Sequence, residues 1–223
     1  MEEHRKDWNK QQKMLRALLE NEDRHSEAIS LFLSQHAVLH SAKMGQGTAW
    51  SFEDDVLDDV EEDAVRRRPG NEEHSIAWCI WHIARIEDVT MNMLVADRPQ
   101  LFLEDQWRDS LGIAVLHTGN VMDDEDITVI SNSIDIQALR DYRCAVGRRT
   151  QEIVKALKPG EIRQKVQPDR LQKVVDEGAV AQTALGLIEY WSKRTIAGMM
   201  LMPPTRHNFV HLNEASKLKQ RRS

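Results

Sequence analysis

The sequence has 223 residues and a formal net charge of −6, with 41% hydrophobic and 30% charged residues. This balance is that of an ordinary globular protein with room for a full core, and the negative charge disfavours a nucleic-acid duplex as a partner. The two cysteines, Cys79 and Cys144, are far apart, which excludes a disulfide framework and fits a reducing compartment. The first residues do not read as a signal peptide, and no apolar run approaches the ~18 residues of a membrane span. We therefore expect a cytoplasmic protein that does not enter a membrane.

Apolar residues recur at helical spacing along most of the chain, and no segment alternates convincingly with the period of two that a strand shows. Helices are predicted over residues 7–20, 25–44, 72–96, 135–157 and 180–201, and from about Pro204 or Thr205 onwards. The acidic residues 45–71 predict a solvated connection with one short helix near residues 52–63. Loops with short helices are predicted over residues 97–133. The predicted fold class is therefore all-α, a four-helix bundle with long connections.

Three histidines are candidate metal ligands. His207 and His211 are four residues apart in the last predicted helix, so their imidazoles lie one turn apart on one face and can bind one ion. His82 lies on the apolar face of the helix predicted over residues 72–96, for which Asn71 and Glu72 provide a start signal. A histidine on such a face is either a core residue with a satisfied partner or a ligand, and spacing alone does not decide between them.

A second histidine pair, His36 and His40, has the same spacing in the helix predicted over residues 25–44. These two residues either supply a ligand, line the site, or serve as core histidines. Cys79, three residues before His82, is expected to act as a small buried hydrophobic residue rather than as a thiolate ligand.

Two motifs, taken together, resemble a known family. The octapeptide Trp-His-Ile-Ala-Arg-Ile-Glu-Asp at residues 81–88 resembles the W-H-[IL]-A-x-x-E-D segment on the second bundle helix of the DinB superfamily of damage-inducible-like metalloproteins. The pair His207-x-x-x-His211 resembles the carboxy-terminal H-x-x-x-H of that superfamily. Because the resemblance covers roughly residues 25–220, residues 1–223 are expected to form a single DinB-like helical domain, with residues 1–24 as a helical extension.

The resemblance implies a four-helix bundle in which three histidines bind a divalent ion (zinc, nickel or iron) and leave coordination positions open. Carried onto this sequence, the implied ligands are His82, His207 and His211. Glu87 and Glu214 are expected acceptors for the second ring nitrogens of these ligands. After the second histidine the family often has His-Arg-Gly-Gln or Arg-Gly-Gln, whereas this chain continues Leu-Asn-Glu, a departure that bears on the substrate rather than on the metal.

The resemblance also implies a function. Relatives of this bundle include S-transferases and isomerases that use low-molecular-weight thiols such as bacillithiol or mycothiol, with the metal holding the thiol as a nucleophilic thiolate. Two alternatives stay open: hydrolysis by a metal-bound water, and a non-catalytic metal-binding stress-response bundle. The family often dimerises, and the apolar surface expected around Trp78 and Trp191 favours a homodimer. The expected ligand is a small-molecule substrate.

Overall fold

The computed structural model describes residues 2–45, 50–70 and 73–221. Within these ranges the chain is helical and contains no strand, although an isolated bridge joins Lys165 and Thr195. The all-α prediction is therefore confirmed for the described residues. Of the helices in these ranges, none is both long and apolar enough to cross a membrane.

The helices differ widely in length, from one turn to almost six. In the first half of the chain they are α1 Glu2–Leu19, α2 His25–Ala37, α3 Phe52–Leu57, α4 Glu62–Arg66, α5 Ile76–Asp88, α6 Leu101–Glu104 and α7 Trp107–Leu111. In the second half they are α8 Asp124–Ser133, α9 Ile136–Ala156, α10 Pro168–Asp176, α11 Gly186–Ser192, α12 Ile196–Leu201 and α13 Asn208–Gln220.

Helix α5 lies at the centre of the fold, and every one of its residues is buried. It packs against α9 on one side and α13 on another, while α1 packs on α2 and α12. The helix begins after Ser75, whose hydroxyl accepts a hydrogen bond from the backbone N–H of Trp78 at 2.9 Å. The predicted start signal at Asn71 and Glu72 lies outside the described residues. Because α5 is enclosed on all sides, each polar side chain on it needs a partner inside the protein.

Asp88, at the end of α5, is such a buried polar residue. Its carboxylate accepts hydrogen bonds from the backbone N–H groups of Leu101 and Phe102, both at 2.9 Å, and from the hydroxyl of Tyr142 at 2.6 Å. Asp88 therefore ties the end of α5 to the start of α6 and to α9. This acid is therefore fully buried and is not a surface charge.

The helix predicted over residues 25–44 is shorter than expected, because α2 ends at Ala37. The next residues turn back so that the N–H of Phe52 donates to the carbonyl of Val38 at 2.8 Å, and the Ser51 hydroxyl donates to the carbonyl of His40 at 2.7 Å. These bonds replace the helical bonds that a longer α2 would make. His40 consequently leaves the helix axis but stays beside His36, with the two ring centroids 4.3 Å apart.

The single helix predicted over residues 180–201 is wrong. The chain forms α11 and α12 with a break between them, because the carbonyl of Arg194 and the N–H of Ile196 bond to Val166 and Gln164 instead of to helical neighbours. Thr195 then starts α12, since its hydroxyl accepts from the N–H of Gly198 at 3.1 Å. An apolar pattern alone does not reveal this interruption.

The prediction that Pro204 or Thr205 starts the last helix is also wrong. Pro203 and Pro204 lie in a π-helical turn, Met202–His207, so that α12, this turn and α13 form one uninterrupted helical segment. Proline has no N–H to donate to the preceding turn. The side chain of Thr205 donates to the carbonyl of Met200 at 2.9 Å instead, and Gln12 from α1 donates to that of Leu201 at 3.0 Å.

Two smaller expectations also need correction. The acidic connection contains two short helices, α3 and α4, rather than the single predicted one. It is also not solvated throughout, because its Glu53 is fully buried and accepts a hydrogen bond from Arg143 Nε at 2.7 Å. Trp78 and Trp191 are 4% and 1% exposed, so they do not provide the apolar surface on which the homodimer prediction relied.

Candidate metal centre

The packing of α5 against α13 brings His82, His207 and His211 together. The ring centroids are 5.0 Å apart for His82 and His207, 4.9 Å for His82 and His211, and 4.6 Å for His207 and His211. One possible ligand nitrogen from each residue lies within 4.8 Å of the other two. His207 ends the π-helical turn and His211 follows one turn later, so both rings face α5.

Hydrogen bonds on the outer side of two of these rings fix which nitrogen is free. The Nδ1–H of His82 donates to the carbonyl of Thr118 at 2.6 Å, and the Nδ1–H of His211 donates to Glu214 Oε2 at 2.9 Å. A carbonyl or carboxylate can only accept, so the proton of each neutral ring is on Nδ1 and Nε2 carries a lone pair. This is the form in which histidine binds a metal.

His207 completes the set without an outer partner. Its buried Nδ1 has no hydrogen-bond partner among the described residues. No hydrogen bond therefore fixes its tautomer, and either ring nitrogen can supply the third lone pair to an ion. The residues present therefore fit a divalent ion, with three neutral imidazoles as its protein ligands.

The surroundings of the three rings favour their neutral forms. Burial is the main cause that lowers the pKa of His82 to about 3, and the neighbouring His211 lowers it further. Burial also lowers the pKa of His207 well below its usual value, followed by the effects of His82 and His211. Protons therefore do not compete for these two rings at neutral pH, and the site is ready to bind a cation.

The acceptor of His82 comes from a loop that sequence reasoning did not connect to the site. Thr118 is held there because its N–H donates to the carbonyl of Ala179 at 3.0 Å. The next residue, Gly119, has a φ of +87°, and a Cβ on it would lie 2.5 Å from the Trp81 ring. Only glycine allows the loop to approach α5 this closely. Gly119-Asn120 is a turn signal in the sequence, but it does not say which carbonyl meets which ring.

Glu214 is the acceptor that the sequence predicted for one ligand. Its second oxygen, Oε1, accepts from His74 Nδ1 at 2.6 Å. The His74 ring stacks on Trp78 at 3.8 Å between centroids, and Trp78 stacks on His82 at 4.6 Å. The Glu214 carboxylate thus supports His211, and the stacked Trp78 ring supports His82.

Cys79 lies beside Glu214 and His74, and these three residues form another group with metal-ligating atoms close together. The thiol is fully buried, and burial is the main cause that raises its pKa well above the usual value. This disfavours the thiolate that a metal needs, as expected for a cysteine that acts as a hydrophobic residue.

The other histidine pair surrounds Glu87, and the three residues are fully buried. The Nε2–H of His36 donates to Glu87 Oε1 at 2.7 Å, and that of His40 donates to Oε2 at 3.2 Å. The amide of Asn208 also donates to Oε2, at 2.6 Å, and Arg143 Nη1 lies 3.7 Å from the same oxygen. Glu87 therefore serves this cluster and is not the acceptor for a ligand of the three-histidine site, contrary to one of the two expectations.

The geometry of the Glu87 cluster fits a metal less well. In His36 and His40 the Nδ1 atoms are buried and have no partner within the described part of the chain. A metal on Nε2 would move each proton to Nδ1, where it would be a buried donor without an acceptor. The nearby Arg143 also repels a cation. This cluster is better described as a hydrogen-bonded core network.

The fold and the site define a helical protein with a three-histidine centre suited to a divalent cation. The chain matches the model of the DinB superfamily over residues 49–212. That match covers more than half of the sequence, so this protein belongs to the DinB superfamily, which is associated with metal binding. No curated protein matches the chain.

Proposed function

We propose that this chain is a divalent-metal enzyme in which His82, His207 and His211 hold the ion. The observation that carries the proposal is the orientation of the rings: Nδ1 of His82 and of His211 is engaged outward, which leaves Nε2 for the metal. Three imidazoles suit zinc, nickel or iron, and the donor set alone does not choose among them.

The ligand set supports catalysis rather than a purely structural role. Structural zinc sites usually have four protein ligands, whereas catalytic sites have three and an open position. A divalent ion here would supply Lewis-acid chemistry, lowering the pKa of a bound thiol or water towards neutrality. His207 and His211 are partly exposed while His82 is buried, so a substrate reaches the centre from the side of α13.

On that side, neighbouring side chains support the ligand histidines. Trp78 stacks on His82, and the His74–Glu214 pair lies next to His211. Glu214 keeps the proton of His211 on Nδ1 and thereby holds the ring in its binding orientation. By family resemblance, we propose a low-molecular-weight thiol as one substrate and S-transfer or isomerisation as the reaction.

The same proposal extends to the architecture. The packing of α5 against α9 and α13, and of α2 against α9, supports these four as the bundle helices of one DinB-like domain. Residues 1–24 would then be an extension that packs through α1 onto α2 and α12. A homodimer and a cytoplasmic location stay predictions from the sequence, and sedimentation velocity tests the first.

A thiol-transfer assay tests the proposed function. Protein reconstituted separately with zinc, nickel or ferrous iron is offered a panel of low-molecular-weight thiols with electrophilic substrates, and a parallel panel of esters and amides without thiol. We expect turnover that requires both metal and thiol, is lost in His82→Ala, and persists in Cys79→Ser. Turnover without thiol would instead identify a hydrolase. If no thiol changes the spectrum of the cobalt-substituted protein and nothing turns over, the non-catalytic alternative is correct.

A further inference from the structure

A second candidate binding site lies away from the histidines, in a groove between α1 and the α11–α12 segment. The groove has a volume of about 650 Å³, which is within the range of small-molecule sites. Four cations line it, two from α1 and two from the later segments, together with a single carboxylate, Glu20. The cations are Lys13, Arg16, Arg194 and Arg206. This local excess of positive charge contrasts with the net charge of −6 of the whole chain.

Within the part of the chain that the structure describes, no acidic side chain neutralises these four cations. Arginines elsewhere are often paired, as Arg143 is with Glu53 and Arg163 with Glu22 at 2.9 Å. Across residues 2–45, 50–70 and 73–221, no carboxylate lies within ion-pair distance of any of the four groove cations. Like charges that share a groove repel one another, and a bound anion would relieve that repulsion.

Two of the guanidinium groups are held in place by aromatic rings. Arg194 lies over the ring of Tyr190 at 4.1 Å, and Arg206 lies over Trp8 at 5.3 Å while its Nη1 donates to Asn9 Oδ1 at 2.8 Å. Stacked guanidinium groups keep their remaining N–H donors free for a phosphate or carboxylate. These charges are therefore better placed for binding than freely moving surface side chains.

Gln12 adds a neutral polar group to the groove, and its side chain is buried, with 7% of the residue exposed. Its amide nitrogen donates to the carbonyl of Leu201 at 3.0 Å and to the hydroxyl of Thr205 at 3.1 Å. These two bonds tie α1 to the end of α12 and to the turn that follows it, and they hold the two sides of the groove together.

We propose that this groove binds a small polyanion that carries at least two negative charges. Phosphorylated compounds and polycarboxylic acids share this chemistry. The concave shape and the volume favour a small molecule over an extended acidic polymer. The site is separate from the metal centre: Arg206 faces α1, whereas the adjacent His207 faces α5.

Calorimetric titration of the full-length protein tests the proposal, with pyrophosphate and citrate as probes of the two anion types. The protein is stripped of metal with a chelator, and His82→Ala is titrated in parallel, so that anion binding to a metal does not contribute. We expect saturable binding of at least one probe in both preparations, weakened by added salt.

Matched charge reversals locate the site. Lys13→Glu combined with Arg194→Glu should raise the dissociation constant about tenfold or more, because two favourable interactions become repulsive. Lys13→Glu alone should raise it about threefold. Lys10→Glu, the matched single reversal on an exposed residue of α1 that does not line the groove, should alter it less than about twofold. The proposal is wrong if neither probe binds the metal-free protein, if Lys13→Glu and Lys10→Glu have equal effects, or if only polymers such as polyglutamate bind.

Discussion

The three-histidine centre and the Glu87 cluster contain similar residues but orient them differently. Each has two histidines four residues apart in sequence and a further group from α5. In the three-histidine centre, the Nδ1–H groups of His82 and His211 donate outward, to Thr118 and Glu214. In the Glu87 cluster, the Nε2–H groups of both histidines donate inward, to the carboxylate.

The comparison shows that the partner of the second ring nitrogen decides what a histidine pair does. An acceptor outside the group leaves lone pairs that converge on one point, where a cation is stabilised. An acceptor inside the group places protons at that point and leaves no position for a cation. Spacing in the sequence is the same in both cases. We therefore expect changes in the Glu87 cluster to affect stability, and changes in the three-histidine centre to affect metal binding.

The largest effect on stability is expected from Glu87→Gln. The variant keeps the shape of the side chain but removes the charge that receives donors from His36, His40 and Asn208, and it leaves Arg143 with less compensation. The free energy of unfolding should fall by about 3 kcal/mol, as for other buried charge networks that lose one partner. Urea unfolding of the metal-free protein measures it.

Glu214→Gln is the matched control for that variant. Glu214 is partly exposed, so the loss of its charge should change the free energy of unfolding by less than about 1 kcal/mol. Metal affinity should nevertheless fall about 10- to 100-fold, because the side chain no longer holds the proton of His211 on Nδ1. If Glu87→Gln weakened metal binding more than Glu214→Gln did, the two regions would not have the separate roles described above.

A more gradual effect is expected from pH. Burial lowers the pKa of His82 and of His40 to about 3 in the folded state, whereas histidine in an unfolded chain titrates near ~6.5. Between these values the unfolded state binds more protons. The free energy of unfolding of the metal-free protein should therefore have its full value above about pH 6.5. It should decrease as the pH falls towards about 3, by up to about 1.4 kcal/mol per pH unit for each histidine.

Urea unfolding at a series of pH values checks this expectation, and His40→Gln provides the control, since it removes one titrating group and should reduce the slope. A free energy of unfolding that stays constant from about pH 7 to about pH 5 would show that these histidines are not held neutral by burial.

The sequence predicted those parts of the site that depend on local spacing. His207 and His211 face one way because they are one turn apart, and the apolar face around His82 correctly indicated a buried position. Other features depend on contacts between distant segments. The carbonyl of Thr118 has no side-chain signature. The orientation of the His36 ring depends on Glu87, which is 51 residues away in the chain.

The fold was predictable to a similar extent. The helix predicted over residues 135–157 is confirmed as α9, Ile136–Ala156, whereas α5 begins later than predicted and the interruptions of other helices were not recognised. The break before Thr195 arises from bonds to Gln164 and Val166, and the π-helical turn at Pro203 and Pro204 requires Thr205 and a glutamine from α1 as substitute donors. Such bonds are decided by tertiary packing and leave no periodic signal.

Metal content of five single variants tests the central claim most directly. The proteins are purified without a histidine tag, and metal is measured per chain alongside far-UV circular dichroism. We predict that His82→Ala, His207→Ala and His211→Ala each lose the metal and keep their helical content, whereas His36→Ala and His40→Ala retain it. The account is contradicted if His82→Ala keeps full stoichiometry while His36→Ala or His40→Ala loses the metal.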